Sequence, residues 1–306
     1  MILNIKNETS TLKSVVLGQS VSNGKMPGLQ ETYDAKSYET ILKGVYPSDE
    51  AIQCEMSALE KVFFKHQVEV LKPSLIENCN QVFARDAGFV IDDTIINSNI
   101  IPNREDEKIA YENIYNKIAY NKIYNLPERA HVEGGDVILY NDLIFVGLYT
   151  GNDYAKLKTA RTNQYAFNFL KELFPHKTFI ALELVKHDTD PRKGILHLDC
   201  TFMPVGADKA IIYKDGFSNV KDYNLIKDVF GVSNIFEITQ DEMYKMNTNI
   251  FSISPKTVVS EMQFGRLNDF MENEWGFQVE KVPYHEISKM GGLLRCSTFP
   301  LIRDND

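Results

Sequence analysis

Four β-hairpin signatures recur along this chain, and their spacing constrains the fold more than any other feature. Asp86 to Asn97 reads DAGFVIDDTIIN, with a turn at Asp92-Asp93, and Gly135 to Leu148 reads GDVILYNDLIFVGL, with a turn at Asn141-Asp142. Asp199 to Tyr213 turns near Gly206, and Asn249 to Ser260 turns at Pro255-Lys256. Each places two β-rich runs around a short polar or Gly/Pro turn. The hairpins begin roughly 50 to 60 residues apart, a period that suggests a radial, propeller-like array. A fifth unit would join the strand Lys13 to Leu17 to a C-terminal strand, Leu293 to Ile302, and so close the ring with both chain ends. Between the hairpins, Glu105 to Tyr120, Thr162 to Leu173, Asn219 to Phe230 and Phe264 to Asn273 carry apolar residues at helical spacing. A further helix is expected from Ser48, a good N-cap followed by Asp49 and Glu50, to about Lys65.

No linker or low-complexity segment interrupts the 306 residues, so the expectation is a single catalytic domain over 1–306. The net charge of −9 disfavours nucleic acid, which calls for a basic face, but suits a cationic small molecule. No signal peptide and no membrane-spanning apolar run is read from the sequence. Cys54, Cys79, Cys200 and Cys296 are too scattered for a disulfide scaffold or zinc ribbon, so a reduced, cytoplasmic protein is expected.

Four segments place reactive side chains in or beside these apolar strands: Arg85-Asp86, His131 through Asp136, His197 through Thr201, and Gly291 through Thr298. Strand alternation puts His197, Asp199 and Thr201 on one face and Leu198, Cys200 and Phe202 on the other, which makes Cys200 a packing residue. Cys296 follows Gly291-Gly292 and is a candidate nucleophile, with His197 able to tune it. Carboxylates at Asp86, Glu133 and Asp199 would oppose a thiolate, unless the substrate is itself a planar cation that they bind. A zinc hydrolase built on His131, Glu133, His197 and Asp199 is the rival reading of the same residues, without the familiar H-E-x-x-H spacing.

Taken in order, Arg85-Asp86, Glu133-Gly134-Gly135-Asp136, His197-Leu198-Asp199 and Gly291-Gly292 with Cys296 resemble the pentein, or guanidino-group-modifying, superfamily of deiminases, dimethylargininases and amidinotransferases. The resemblance implies an α/β fold, a five-bladed pseudo-fivefold ββαβ propeller. It implies Cys296 as nucleophile, His197 as general acid/base and Glu133 as a catalytic carboxylate. Asp86, Asp199 and Asp136 would bind substrate, while Arg161, or less directly Arg104, would take a substrate carboxylate. No metal and no cofactor is implied. The expected reaction is hydrolysis of a guanidino or ureido carbon in an arginine-like small molecule, through an S-alkylthiouronium intermediate. Amidino transfer to an amine, citrulline hydrolysis and a non-catalytic binding propeller are the alternatives. Arg295 stands where many relatives have histidine, and strand alternation would turn it away from the face of Cys296. Asp199, which dimethylargininases generally lack, points toward an unmethylated guanidine. The stretch Tyr149 to Ala160 is an addition, read as a lid or an oligomer contact; a homo-oligomer is possible.

Overall fold

The computed structural model describes residues 1–304. Among them are five separate three-stranded sheets, all built on one plan: an antiparallel hairpin, a helical crossover and a third strand parallel to the second. The first unit joins β1 (Leu12–Leu17) to the parallel strand β2 (Glu69–Leu71). The second holds β3 (Gly88–Ile91), β4 (Thr94–Asn97) and β5 (Ile123–Asn125). The third holds β6 (Val137–Tyr140), β7 (Leu143–Leu148) and β8 (Thr178–Glu183). The fourth has β9 (Phe202–Val205), β10 (Lys209–Ile212) and β11 (Ile235–Glu237). The fifth has β12 (Phe251–Ser254), β13 (Thr257–Glu261) and β14 (Gln278–Val282). The last strand, β15 (Thr298–Arg303), pairs antiparallel with β1, with Val16 opposite Phe299, and completes the first unit. This is the ββαβ ring that the hairpin spacing and the resemblance both imply.

The turns follow the residues expected to make them. Asp92 and Asn141 take φ values of +53° and +57°, conformations that Asp and Asn tolerate better than most side chains. The crossover helix Asp49–Lys65 is capped by Ser48, whose side chain accepts from the Ala51 amide. Helices at Gln164–Leu173, Val220–Phe230 and Gly265–Asn273 lie close to their expected bounds.

The stretch Glu105 to Tyr120 departs from expectation. It is a 3-10 helix from Pro102 to Tyr111, and only Glu112–Tyr115 is α-helical. Within it the Arg104 guanidinium is clamped by Glu107 three residues on (Nε to Oε1 2.7 Å, Nη2 to Oε2 2.8 Å), a pair that this winding brings into line. Residues i and i+3 eclipse in a 3-10 helix, whereas an α-helix would offset them.

Each hairpin is entered through a tight turn, and these turns converge to form the site. Asp86, Asn249 and Cys296 each stand two residues ahead of the first hairpin strand of their unit, and Asp199 stands three ahead. The turns bond to one another around the ring. The Arg85 amide donates to Cys296 O (2.9 Å), the Leu198 amide to Asp136 Oδ1 (2.9 Å), and Thr248 Oγ1 to Asp199 O (2.8 Å). The amides of Arg295 and Cys296 both donate to Asn249 Oδ1 (2.9 and 3.2 Å).

Two strand expectations are corrected here. Leu198–Cys200 is a 3-10 turn, and residues 294–297 form a turn ahead of β15, so alternation of faces applies to neither. Backbone donors near these residues bond across the ring to other turns, so a strand ladder is not available to them.

Candidate active site

Beneath these turns lies a buried ionic network. Arg295 is fully buried; it donates to Glu8 (Nη2 to Oε1, 2.8 Å), Asp199 (Nη1 to Oδ2, 2.9 Å) and Val137 O (2.7 Å). Burial works against both charges. The Coulombic pull of Arg295 on Glu8 nevertheless leaves that carboxyl at about 2. Removing the cation would strand two buried carboxylates. Arg295→Met is therefore expected to destabilise the fold by about 3–5 kcal/mol, read as a lower denaturant midpoint at unchanged slope.

Cys296 sits above this network. Its thiol lies 3.7 Å from Asp199 Oδ2 and accepts a hydrogen bond from Asn249 Nδ2 at 3.2 Å. Burial, then the charges of Asp199 and Asp86, push the thiol well above its ordinary range. This environment favours the neutral thiol over the thiolate.

His197 shares a small cavity of about 10 Å³ with Cys296, Asp86 and Phe83. Glu133 Oε2 accepts from His197 Nε2 (2.8 Å) and from Arg161 Nη1 (2.7 Å), while Glu133 Oε1 accepts from the Ile101 amide (2.9 Å). Burial opposes an imidazolium here. Asp86, the hydrogen bond to Glu133 and Asp136 outweigh it and hold His197 up at about 9. Glu133 in turn stays well below the usual carboxylate range: Arg161 and the His197 bond overcome its burial. Among the described residues the other imidazole nitrogen, Nδ1, has no hydrogen-bond partner, and neither does Asp86 Oδ1, 3.7 Å away. Two buried polar atoms thus face each other unsatisfied in the cavity that contains the thiol.

Gly135 allows the ring to lie there. A Cβ on Gly135 would come within 2.7 Å of His197 Cγ and Nδ1. Gly135→Ala is expected to shift the imidazole and lower turnover by about tenfold or more, with a melting temperature within a few degrees of the parent. Steady-state rates and a thermal melt of the same preparation check both halves.

The structure brings most of the expected residues together but distributes their work differently. Asp86 is paired through Oδ2 with Arg104 Nη1 (2.5 Å) and keeps Oδ1 free. Asp199, expected beside the substrate, does not line the cavity; its carboxylate ties Arg295 to the two thiols of Cys296 and Cys200. Asp136 accepts from Thr162 Oγ1 (2.6 Å) and the Leu198 amide, which fixes the turn after His197 rather than facing a ligand. Arg161 and Arg104 both line the cavity, but with their guanidinium groups already engaged by Glu133 and Asp86. Arg295 does not line the cavity, although the strand alternation from which this was expected is absent, and it reaches Cys296 through Asp199. Cys200 is buried within the apolar core, in keeping with its packing role.

The added stretch clasps the N-terminal segment. Lys158 Nζ donates to Gln30 O and Thr32 O, and Arg161 Nη2 to Tyr33 O (2.6 Å).

As metal donors, Asp86, Glu133 and His197 offer atoms within 4.8 Å of one another. Both carboxylates are already neutralised by arginines, a donor set poorly suited to a second cation. His131 lies outside this cluster, in a separate cavity with Tyr154 and Arg161. All four cysteines are free.

Sequence reasoning missed Asn249, Glu8 and Glu107, as well as Asp34 on the cavity wall. Aligning the turns of the five units would have found Asn249, because it holds in its own unit the place that Cys296 holds in the first.

Residues 46–303 match the family described as N,N dimethylarginine dimethylhydrolase, eukaryotic. The uncharacterized protein YkgA of Bacillus subtilis (strain 168) is 29% identical over 255 residues, covering 81% of this chain and 79% of that protein. An arginine deiminase of Treponema denticola is 24% identical over 60% of this chain; the match spans 50% of the deiminase's own length. Among solved structures, the N-terminal domain of ArgZ, covalently bound to a reaction intermediate, superposes with a TM-score of 0.78 at 17% identity, over 95% of this chain and 98% of that one. SxtG, an amidinotransferase from Microseira wollei in the saxitoxin biosynthetic pathway, superposes at 0.75 and 15% identity, over 99% and 98%. Likenesses at these identities speak to the fold.

Proposed function

Because this chain belongs to the N,N-dimethylarginine dimethylhydrolase family, within the pentein superfamily of enzymes that act on amidino groups, we propose that it is a cysteine-dependent hydrolase of the guanidino carbon in an arginine-like small molecule. The observation that carries this reading is the facing pair of unsatisfied atoms, His197 Nδ1 and Asp86 Oδ1, in the cavity of Cys296. A guanidinium N–H satisfies Asp86 Oδ1, and the nitrogen that leaves meets the proton on His197 Nδ1.

The charges run in sequence. At rest the pocket holds a neutral thiol and an imidazolium. The incoming guanidinium adds a positive charge that offsets Asp86 and Asp199, and the Cys296 proton leaves to solvent. The thiolate attacks the guanidino carbon and forms a C–S bond. His197 passes its Nδ1 proton to the departing nitrogen, the C–N bond breaks, and ammonia or an amine is released. Neutral His197 then takes a proton from water, the hydroxide adds to the thiouronium carbon, and C–S cleavage frees a ureido product. Glu133 holds the imidazole by Nε2 throughout, with Arg161 holding Glu133. Arg161, with two of its five N–H groups not engaged among the described residues, takes the substrate carboxylate.

A methylated arginine is the second reading, favoured by the family match. Since Asp199 stands behind the cavity on Arg295, it does not itself select against methyl groups. Incubation with arginine, agmatine, dimethylarginine and citrulline, with and without glycine, separates the possibilities. Citrulline with ammonia indicates deimination, and citrulline with dimethylamine indicates the second reading. Ornithine with a new guanidino compound, formed only when glycine is present, indicates amidino transfer. No Cys296-dependent product from any of them would count against the proposal.

A further inference from the structure

The cavity of Cys296 shares Arg161 with a space of about 300 Å³ beside Tyr154 and Lys158, and it shares Asp34 with two further spaces. One is large and polar, about 510 Å³, and shares Tyr33, Asp34, Arg104 and Met290 with it. The other is small, about 50 Å³, and shares Asp34, Leu196 and Gly291 with it. The small one is walled largely by apolar side chains, among them Ile195, Met243 and Met246. Asp34 borders both of these and the cavity of Cys296.

Asp34 is unusual among the carboxylates here. Asp86 is the other acid that lines the catalytic cavity, and Arg104 neutralises it. Asp34 is buried and, among the described residues, makes no ion pair within 4.0 Å. Its Oδ1 caps the helix Ala35–Leu42 by accepting from the Ser37 amide (2.7 Å). Gly291, at φ +84°, lets the chain pass so close that a Cβ there would come within 2.4 Å of Asp34 Oδ1. Lys36, the cation in the small cavity, is turned away: Nζ donates to Tyr244 O (2.9 Å) and lies 3.1 Å from the Tyr244 ring centroid.

On the reading that Cys296 forms a thiouronium, we infer that the small cavity receives the departing amine, with Asp34 as the carboxylate that takes it up as an ammonium ion. The geometry supplies the reason. Of the neighbouring spaces, the two larger ones, of about 510 and 300 Å³, can take the body of an arginine-sized molecule, and after the C–N bond breaks the rest of the substrate is still covalently held there. An amine released beside His197 needs another way out, and the space behind Leu196 is sized for ammonia or a small alkylamine. Its apolar wall suits an alkyl group, and its single buried carboxylate suits the charged nitrogen.

Microscopic reversibility makes this testable. An amine in that cavity can attack the thiouronium carbon, breaking the C–S bond and giving its proton to neutral His197, which regenerates the guanidine. The experiment is turnover of arginine in isotope-labelled ammonium, following label in the remaining arginine alongside citrulline formed. The wild-type protein should incorporate label. Ala35→Leu, which fills the small cavity, and Asp34→Asn, which keeps a good N-cap but removes the charge, should each lower the ratio of exchange to turnover by about tenfold. Cys296-dependent turnover is the control. If it is missing, the functional reading fails and this inference with it. If turnover proceeds while exchange is absent, or unchanged in both variants, the amine cavity alone is overturned.

Discussion

Cys296→Ala is expected to lose about 10⁴-fold or more in turnover while remaining folded, with a melting temperature close to that of the parent. The size of the loss follows from the role: without a sulfur no C–S bond forms, and positioning alone does little for a guanidino carbon. The fold should survive because the thiol makes few contacts that matter to it. Asn249 holds the Cys296 turn through two backbone amides besides its bond to sulfur, so those two remain when the sulfur goes, and the ionic network beneath belongs to Arg295, Glu8 and Asp199. Steady-state rates and a thermal melt on one preparation test both statements. Undiminished turnover would remove Cys296 from the mechanism.

The second large effect is expected at His197. His197→Asn should cost about 10²–10⁴-fold in turnover, since both the leaving nitrogen and the attacking water depend on that ring. The wild-type protein should show a matching limb in its pH profile. With His197 held at about 9, the imidazolium needed for the first step persists through neutrality, and turnover should fall as pH rises past about 9. Stability follows the same sign. The folded state holds the proton more tightly than an unfolded histidine near 6.5, so the stabilisation is complete below that value and is lost as pH rises through about 9. A pH–rate profile that breaks near 6.5 instead would mean that Asp86 and Glu133 do not hold the charge as their geometry requires.

How far the sequence foretold this molecule differs between backbone and site. The five units were legible because hairpins announce themselves locally: alternating apolar runs, a polar turn, and Asn or Asp where φ turns positive, as at Asp92 and Asn141. The residues of the site were legible as types, since His197, Glu133, Asp86 and Cys296 have few bland reasons to interrupt apolar strands. Their partners were not. Whether Asp199 faces a ligand or Arg295 depends on the 3-10 turn at Leu198–Cys200, which alternation of faces does not foresee. Glu8 meets Arg295 across nearly the whole length of the chain, and no local pattern records such a contact. The 3-10 winding of Pro102–Tyr111, where Glu107 clamps Arg104, leaves no mark in the apolar periodicity.

A covalent bond at Cys296 is the step on which the roles of His197, Glu133 and Asp86 depend. Acid-quenching the wild-type protein during turnover of arginine or dimethylarginine, then measuring intact and peptide masses, addresses it directly. The expected result is an adduct equal to the substrate less its leaving amine, carried by the peptide containing Cys296 and absent in Cys296→Ala. Product forming with no such adduct, or with the adduct on another residue, would contradict the account.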